Sequence, residues 1–191
     1  QVGDGTYVDW NRPVTAGGLA GGLRSLALGS SHTCAVTSGG VQCWGYNGSA
    51  QLGNGDQYGD HFSPVQVSGL EGHVNTAVAG QSHTCALTDE GAVLCWGDNR
   101  QGQLGDGTLE DRLSPVPVNG LERSVMAIAA GWNHTCAATD SAVFCWGENA
   151  KGQLGDGTTE NRTSPVMVSG IGGGVISLEA SEDLSCALLN D

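Results

Sequence analysis

Apolar residues along this chain gather in short runs, each closed by glycine or a polar turn, and residues 120–169 show the pattern most clearly. Val125-Met126-Ala127-Ile128-Ala129-Ala130 is a continuous apolar run ended by Gly131. Thr135-Cys136-Ala137-Ala138 and Val143-Phe144-Cys145-Trp146 follow, with Asp140-Ser141 as the turn between them. Pro165-Val166-Met167-Val168 is the fourth run, its proline at the start, where a missing N–H costs least. Runs of this length between turn residues predict β-strands, and no stretch places apolar residues at helical spacing. The unit is therefore four strands, A to D in chain order. Its B–C turn is tight: Asp89-Glu90-Gly91 fits a three-residue hairpin loop with glycine in the left-handed position. Ser38-Gly39 and Asp140-Ser141 shorten it to two residues.

The unit repeats. A histidine–threonine–cysteine triplet stands at His32–Cys34, His83–Cys85 and His134–Cys136, and each is followed by Cys-Trp-Gly beginning at Cys43, Cys95 and Cys145. Cys34, Cys85, Cys136 and Cys186 are spaced 51, 51 and 50 residues apart. A regular period of that length means one supersecondary unit repeated. Four short antiparallel strands per unit is the arithmetic of a β-propeller blade, so the fold class is all-β. Strand A is rich in small residues (Ser25, Ala27, Thr76, Ala77, Ala127, Ala129), as crowding near a central axis demands. Trp44, Trp96 and Trp146 are expected between blades, where a flat ring fills space and its N–H still reaches a partner.

Gln1-Val2-Gly3-Asp4-Gly5-Thr6 matches Gln103–Thr108, and Pro13 then falls on Pro115, so the chain reads as starting inside a repeat. Ser185-Cys186-Ala187-Leu188 opens another triplet unit. The 191 residues thus hold about three and three-quarter repeats, a partial propeller. We divide them as 1–14 (end of a partial blade), 15–68, 69–119 and 120–169 (three blades) and 170–191 (start of a further blade). Bare apolar end faces on such an array lead us to expect further blades, a second copy or another partner.

Charge narrows the partners. The formal net charge is −13, with one lysine and six scattered arginines, which disfavours nucleic acid. No run of 18 apolar residues exists that would insert into a membrane.

The pattern AxGxxHTCALT, then CWGxN and QLGDGT, then SPVxV, resembles the repeat of the regulator of chromosome condensation family over essentially the whole chain. The resemblance implies a propeller, usually of seven blades, with one repeat per blade. The cysteine pair departs from the eukaryotic nuclear members and is similar to repeats in secreted or surface proteins of bacteria. The family's functions span nucleotide exchange on a small GTPase, ultraviolet sensing in plants and inhibition of β-lactamases, so the fold leaves the function open.

Cys34 falls directly opposite Cys43 across the turn at 38–39, Cys136 opposite Cys145, and Cys85 opposite Cys95 across the three-residue loop, all within reach of disulfides. The alternatives are buried free thiols, or zinc held by His32, Cys34 and Cys43, which lacks a fourth ligand. Cys186 is left unpaired. Disulfides would place the chain in an oxidising compartment, secreted or at a cell surface.

The histidines recur in register and read as caps of the A–B turn; a catalytic constellation needs one unique geometry. The Asp/Asn/Gly loops, such as Asp98-Asn99 through Asp106-Gly107, offer oxygens to calcium, but tight turns require the same residues. No cofactor and no metal is expected. Asn47, Asn133 and Asn161 begin N-x-S/T sequons.

Specificity should lie where the copies disagree. In an antiparallel blade the A–B and C–D connections share one face. Trp132 stands in the A–B turn of the third copy; Tyr58, His61 and Phe62 stand in the C–D loop of the first, and Arg112 in that of the second. Aromatic and arginine residues anchor protein interfaces. These five are the candidate partner-binding residues of a non-enzymatic recognition or assembly module. The alternative, from the family resemblance, is an exchange factor or regulator of a nucleotide-binding partner.

Overall fold

The structure, a computed structural model, describes residues 2–19, 21–70, 73–121 and 124–190. Fourteen strands form its regular structure among the described residues. The first blade holds β1 (Leu23–Leu28), β2 (His32–Thr37), β3 (Gly40–Gly45) and β4 (His61–Gln66). The second holds β5 (Val74–Ala79), β6 (His83–Thr88), β7 (Val93–Gly97) and β8 (Arg112–Pro117). The third holds β9 (Val125–Ala130), β10 (His134–Thr139), β11 (Val143–Gly147) and β12 (Arg162–Met167), and a two-stranded sheet follows with β13 (Val175–Ser181) and β14 (Leu184–Leu189). Within each sheet, strands neighbour one another in chain order, all antiparallel. These are propeller blades: β1 packs on β5, β5 on β9 and β9 on β13, so the first strands meet at the centre. Small side chains make that approach possible, with Ala27, Ala77 and Ala129 buried there.

The hairpins follow their turn chemistry. Thr37 pairs with Gly40 across the two-residue turn, and the Thr37 hydroxyl donates to the Gly40 carbonyl at 3.2 Å. In the second blade Gly91 takes φ 81 in the longer loop. Cys34–Cys43, Cys85–Cys95 and Cys136–Cys145 pair directly across these hairpins and are joined as disulfides; Cys186 is free and exposed.

Strand D differs from expectation. It starts at Arg162, three residues before Pro165, because Gly147 pairs with Arg162 beyond a bulge. Pro165 therefore sits inside the strand. It is tolerated because β12 is the outermost strand, where the missing N–H faces no ladder partner.

Three buried clusters hold the array together, and each straddles two blades. Trp96 of the second blade packs with Leu52, Val67 and Leu70, and Trp146 of the third with Leu104, Val118 and Leu121. Indole burial alone would strand a polar N–H, so its partner matters. Trp96 Nε1 donates to the Gln51 carbonyl at 2.9 Å, and Trp146 Nε1 to the Gln103 carbonyl at 2.9 Å.

Candidate functional site

The residues with the chemistry for catalysis turn out to hold blades together. Thr84 Oγ1 donates to the Gln51 carbonyl at 2.9 Å, so its single proton is committed. His32 Nε2, 2.8 Å from that hydroxyl, must then be the donor, which fixes the neutral Nε2–H tautomer. The same chain runs from His83 through Thr135 to the Gln103 carbonyl, and from His134 through Ser185 to the Gln153 carbonyl. The histidines were expected to cap their own A–B turns; instead each rivets its blade to the next. The opposite ring edge lies against Gly29, Gly80 or Gly131, where a Cβ would collide with it. Burial favours the uncharged ring, pulling His32 down to about 4 and His83 down to about 3; His134 is lowered too, for the same first reason. An imidazole held neutral and enclosed in this way is a poor general base for solvent-borne substrate.

The Asp/Asn/Gly loops are likewise engaged internally. Asn99 Nδ2 donates to Asp106 Oδ1 and to the Thr108 carbonyl, each at 3.1 Å, while Asn99 Oδ1 accepts the Leu104 N–H at 3.0 Å. Asn47 and Asn149 organise their loops in the same way. Asp106 Oδ1 also accepts from the Thr108 amide and hydroxyl, and Oδ2 pairs with Arg112 at 2.6 Å. Burial alone would raise the Asp106 carboxyl, but the Thr108 and Arg112 bonds outweigh it and lower its pKa. Among the described residues no group of three or more His, Cys, Asp or Glu is placed to hold a metal. Asn47, the first of the three sequons, is fully buried.

The five candidate residues fall into separate settings. Trp132 is 43% exposed, whereas Trp96 and Trp146 are at 0%. It borders a cavity of about 250 Å³ formed with Leu28, Gly29, Ser30, Gly80 and Glu182, where the A–B turns converge on the axis. Its backbone is pinned on both sides: the Trp132 N–H donates to the Glu182 carbonyl, and its carbonyl accepts from Gln81, both at 3.0 Å. Tyr58 is 81% exposed and holds φ 77. His61 lies 3.3 Å from the Asn54 amide nitrogen. Phe62 packs against Tyr7 with ring centroids 3.7 Å apart and planes tilted by 41°, beside a cavity of about 160 Å³ lined also by Val2 and Val8. Arg112 is bound to its own loop, and Arg162 repeats the arrangement with Asp156 at 2.8 Å. So Trp132 belongs to the axial mouth and Tyr58 to the first C–D loop, but His61 and Phe62 open β4 and Arg112 opens β8, because strand D begins earlier than its proline; Arg112 clasps the loop before it.

Exposed apolar residues on inner strands were not anticipated: Leu26, Leu28 and Met126 are all more than half exposed. In β1 their signal was present, because Leu26 and Leu28 flank the buried Ala27; in β9 Met126 stands in an apolar run without such alternation.

Comparison with known proteins bears on this arrangement. The model of the "Regulator of chromosome condensation (RCC1) repeat" matches residues 38–87, 90–138 and 140–188, and a second model of the same repeat matches 23–51, 75–103 and 126–153. The chain belongs to the RCC1 repeat family. The matched units of the first model begin at the B–C hairpin of one blade and end in strand B of the next. An RCC1 sequence unit and an RCC1 blade are therefore offset along the chain. Among relatives, the chain is 37% identical over 145 residues to the Ultraviolet-B receptor UVR8 of Arabidopsis thaliana, covering 73% of this chain and 33% of that protein. It is 37% identical over 121 residues to the mitochondrial RCC1 domain-containing protein RUG3 of the same plant, covering 62% and 27%. It is 38% identical over 152 residues to the human E3 ubiquitin-protein ligase HERC2, covering 73% of this chain and 3% of that one. The chain thus spans a third or less of these relatives. Among solved structures, yeast RCC1 (Prp20) bound to Kap60 aligns with a TM-score of 0.76 at 22% identity, over 94% of this chain and 44% of that one. The structure of Prp20p from Saccharomyces cerevisiae, reported with its binding to Gsp1p and histones, aligns at 0.74 and 17%, over 88% and 44%. These likenesses show the RCC1 propeller fold.

Proposed function

We propose that this chain is a non-enzymatic protein-recognition module whose contact surface is centred on Trp132. The observation that carries the proposal is the contrast among the tryptophans. Those of the repeat are buried with their N–H groups satisfied, whereas Trp132 holds a large ring toward solvent on a backbone fixed from both sides. A pre-ordered aromatic ring loses little freedom on binding, which is what interface anchors share. The Tyr58–Phe62 segment forms a second, separate contact, with Tyr58 as its exposed end; Arg112 acts through the loop it stabilises. The absence of catalytic activity is supported by the engagement of His32, His83 and His134 in blade-to-blade bonds through Thr84, Thr135 and Ser185. The hairpin disulfides favour an oxidising compartment, at a surface or outside the cell.

A photo-crosslinking amino acid placed at position 132 tests the surface and identifies its partner. With that partner purified, Trp132→Ala should weaken binding by about 30-fold or more, equivalent to roughly 2 kcal/mol, with the melting temperature unchanged. Unchanged affinity in a folded Trp132→Ala protein overturns the assignment. If the partner binds nucleotide, accelerated nucleotide release on mixing would favour the exchange-factor reading instead.

A further inference from the structure

Trp132 stands in a row of A–B turns with a turn on either side of it, and its surroundings are acidic. Ser30, Gln81, Trp132 and Glu182 hold the same place in successive turns, directly after Gly29, Gly80, Gly131 and Ser181. The Gln81 N–H donates to the Trp132 carbonyl and the Trp132 N–H to the Glu182 carbonyl, so Gln81 and Glu182 are its flanking neighbours. Its exposure of 43% persists with both adjoining turns in place. The glycines let these turns close up: a Cβ on Gly80 would stand 2.5 Å from the Gly131 carbonyl, and one on Gly131 would stand 2.7 Å from that of Glu182. Glu148 is tied to the same turn. Its N–H donates to the Asn133 carbonyl at 2.8 Å, and its Oε2 accepts the Asn133 amide at 3.0 Å. The ring of Trp132 is thus flanked by two carboxylates, one on the next turn and one held by the adjacent residue.

These two carboxylates differ from the chain's other anchored acids. Asp98, Asp106 and Asp156 each hold an arginine, namely Arg100, Arg112 and Arg162. Among the described residues no cation pairs with Glu148 or Glu182, and Glu182 is exposed. Asp183, the next acid along, shares a cavity wall with Lys151, which offsets its charge. The cavity of about 250 Å³ beside Trp132 is otherwise walled by glycine, serine and alanine, with Leu28 at one side. The mouth therefore offers one aromatic face and unpaired negative charge, on a chain whose net charge is −13. An anion is repelled there, and an aliphatic group would take the carboxylates from water with nothing in return. A cation satisfies both features, because the ring's quadrupole attracts positive charge over its face.

We propose that the axial mouth receives an arginine side chain of the partner protein, its guanidinium stacked on Trp132 and paired with Glu182 and Glu148; this rests on the reading of Trp132 as a contact residue. Arginine fits better than lysine. Its guanidinium is flat and weakly hydrated, so it lies on an aromatic face while its N–H edges reach carboxylates. The small residues of the wall leave room for the side chain beside the ring. The contacting segment of the partner is therefore basic, and opposite charge on the two surfaces hastens their encounter at low salt.

The probe is a dye-labelled glycine–serine heptapeptide carrying two arginines, set beside the same peptide with citrulline, which keeps the shape of arginine without its charge. Fluorescence anisotropy should show saturable binding of the arginine peptide, about 10-fold or more tighter than that of the citrulline peptide. Trp132→Leu keeps an apolar side chain and removes the ring, and should weaken binding about 5-fold. Glu148→Gln combined with Glu182→Gln should weaken it by about 5- to 10-fold, with circular dichroism confirming the fold of each variant. Asp89→Asn combined with Glu90→Gln removes the same two charges from an exposed B–C turn on the opposite face, and should leave binding unchanged. Equal binding of the citrulline peptide, no saturable binding, full affinity in Trp132→Leu, or equal weakening by the B–C turn pair each overturns the arginine site. The Trp132 surface itself is read separately, by cross-linking from position 132. A partner captured there through a segment without arginine keeps that surface and removes the cation site, whereas a captured segment centred on arginine supports both.

Discussion

The side chains that would draw attention in an enzyme here act at short range on their neighbours, and their environment gives a measurable pH signature. His32 and His83 titrate near 4 and near 3 in the folded chain because burial disfavours the charged ring, against about 6.5 when unfolded. The folded state therefore binds fewer protons than the unfolded state between those values. Its stability is full above pH ~6.5 and falls as the pH drops below that, by up to about 1.4 kcal/mol per pH unit for each histidine. The lowered carboxyl groups, Asp98 and Asp106, also lose stability on acidification, but only below about pH 4–5, near their ordinary range. The window from about pH 5 to 6.5 thus belongs to the histidines. Thermal melting across it should show a falling midpoint, and His83→Gln should flatten the slope while lowering the whole curve. An unchanged slope in that variant would mean that His83 is charged or exposed. Glycines give a second test at this scale. Gly105 and Gly170 both hold positive φ, at 70° and 77°, yet a Cβ at Gly105 would meet Trp146 Nε1 at 2.7 Å while one at Gly170 meets nothing within 4 Å. Gly170→Ala should cost about 1 kcal/mol of backbone strain, and Gly105→Ala about 3 kcal/mol through added overpacking. Equal losses in urea-unfolding midpoints would remove the indole seat from the account.

At the scale of the element, much was legible because strands and hairpins are specified locally. Alternating runs, Gly91 and the two-residue turns give strand identity and register, and register alone sets Cys34 opposite Cys43. Pro165 misled in one respect: proline marks where a ladder N–H is dispensable, and an outermost strand offers such positions at every second residue, inside the strand as well as at its start. What stayed hidden were bonds between residues about one repeat apart, such as His32 with Thr84 and Trp96 with Gln51. A repeated residue looks the same in sequence whether it serves its own turn or the next blade. Arg112 shows the reverse difficulty: its partner Asp106 is only six residues away, but their pairing depends on a loop shape that composition does not disclose. The disulfides bear on element stability directly. They close separations of 9, 10 and 9 residues, so each should contribute at most ~2–3 kcal/mol by restricting the unfolded chain. The pair Cys85→Ala with Cys95→Ala should lower the melting temperature while leaving the β-sheet circular dichroism intact. Complete unfolding of that double variant at room temperature would mean that the bridges hold up the blade rather than reinforce it.

Across the whole molecule, the apolar clusters sit at the junctions between blades, and this predicts how damage spreads. Leu104 is fully buried against Trp146 between the second and third blades, within a cluster separate from the one around Leu52 and Trp96. Leu104→Ala removes buried methyl groups and leaves a cavity, a change that costs about 2–5 kcal/mol in well-packed cores. In an array of repeats the loss falls on the interface touched and weakens with distance from it, because each blade meets only its neighbours. Hydrogen exchange should therefore rise most in β7, β9 and β10, around the Leu104–Trp146 junction, while β2 and β3 of the first blade keep most of their protection. A uniform rise in exchange over β2, β3, β10 and β11 would show that the array unfolds as one cooperative body. In that case the three clusters would count energetically as a single core, despite their separation in space.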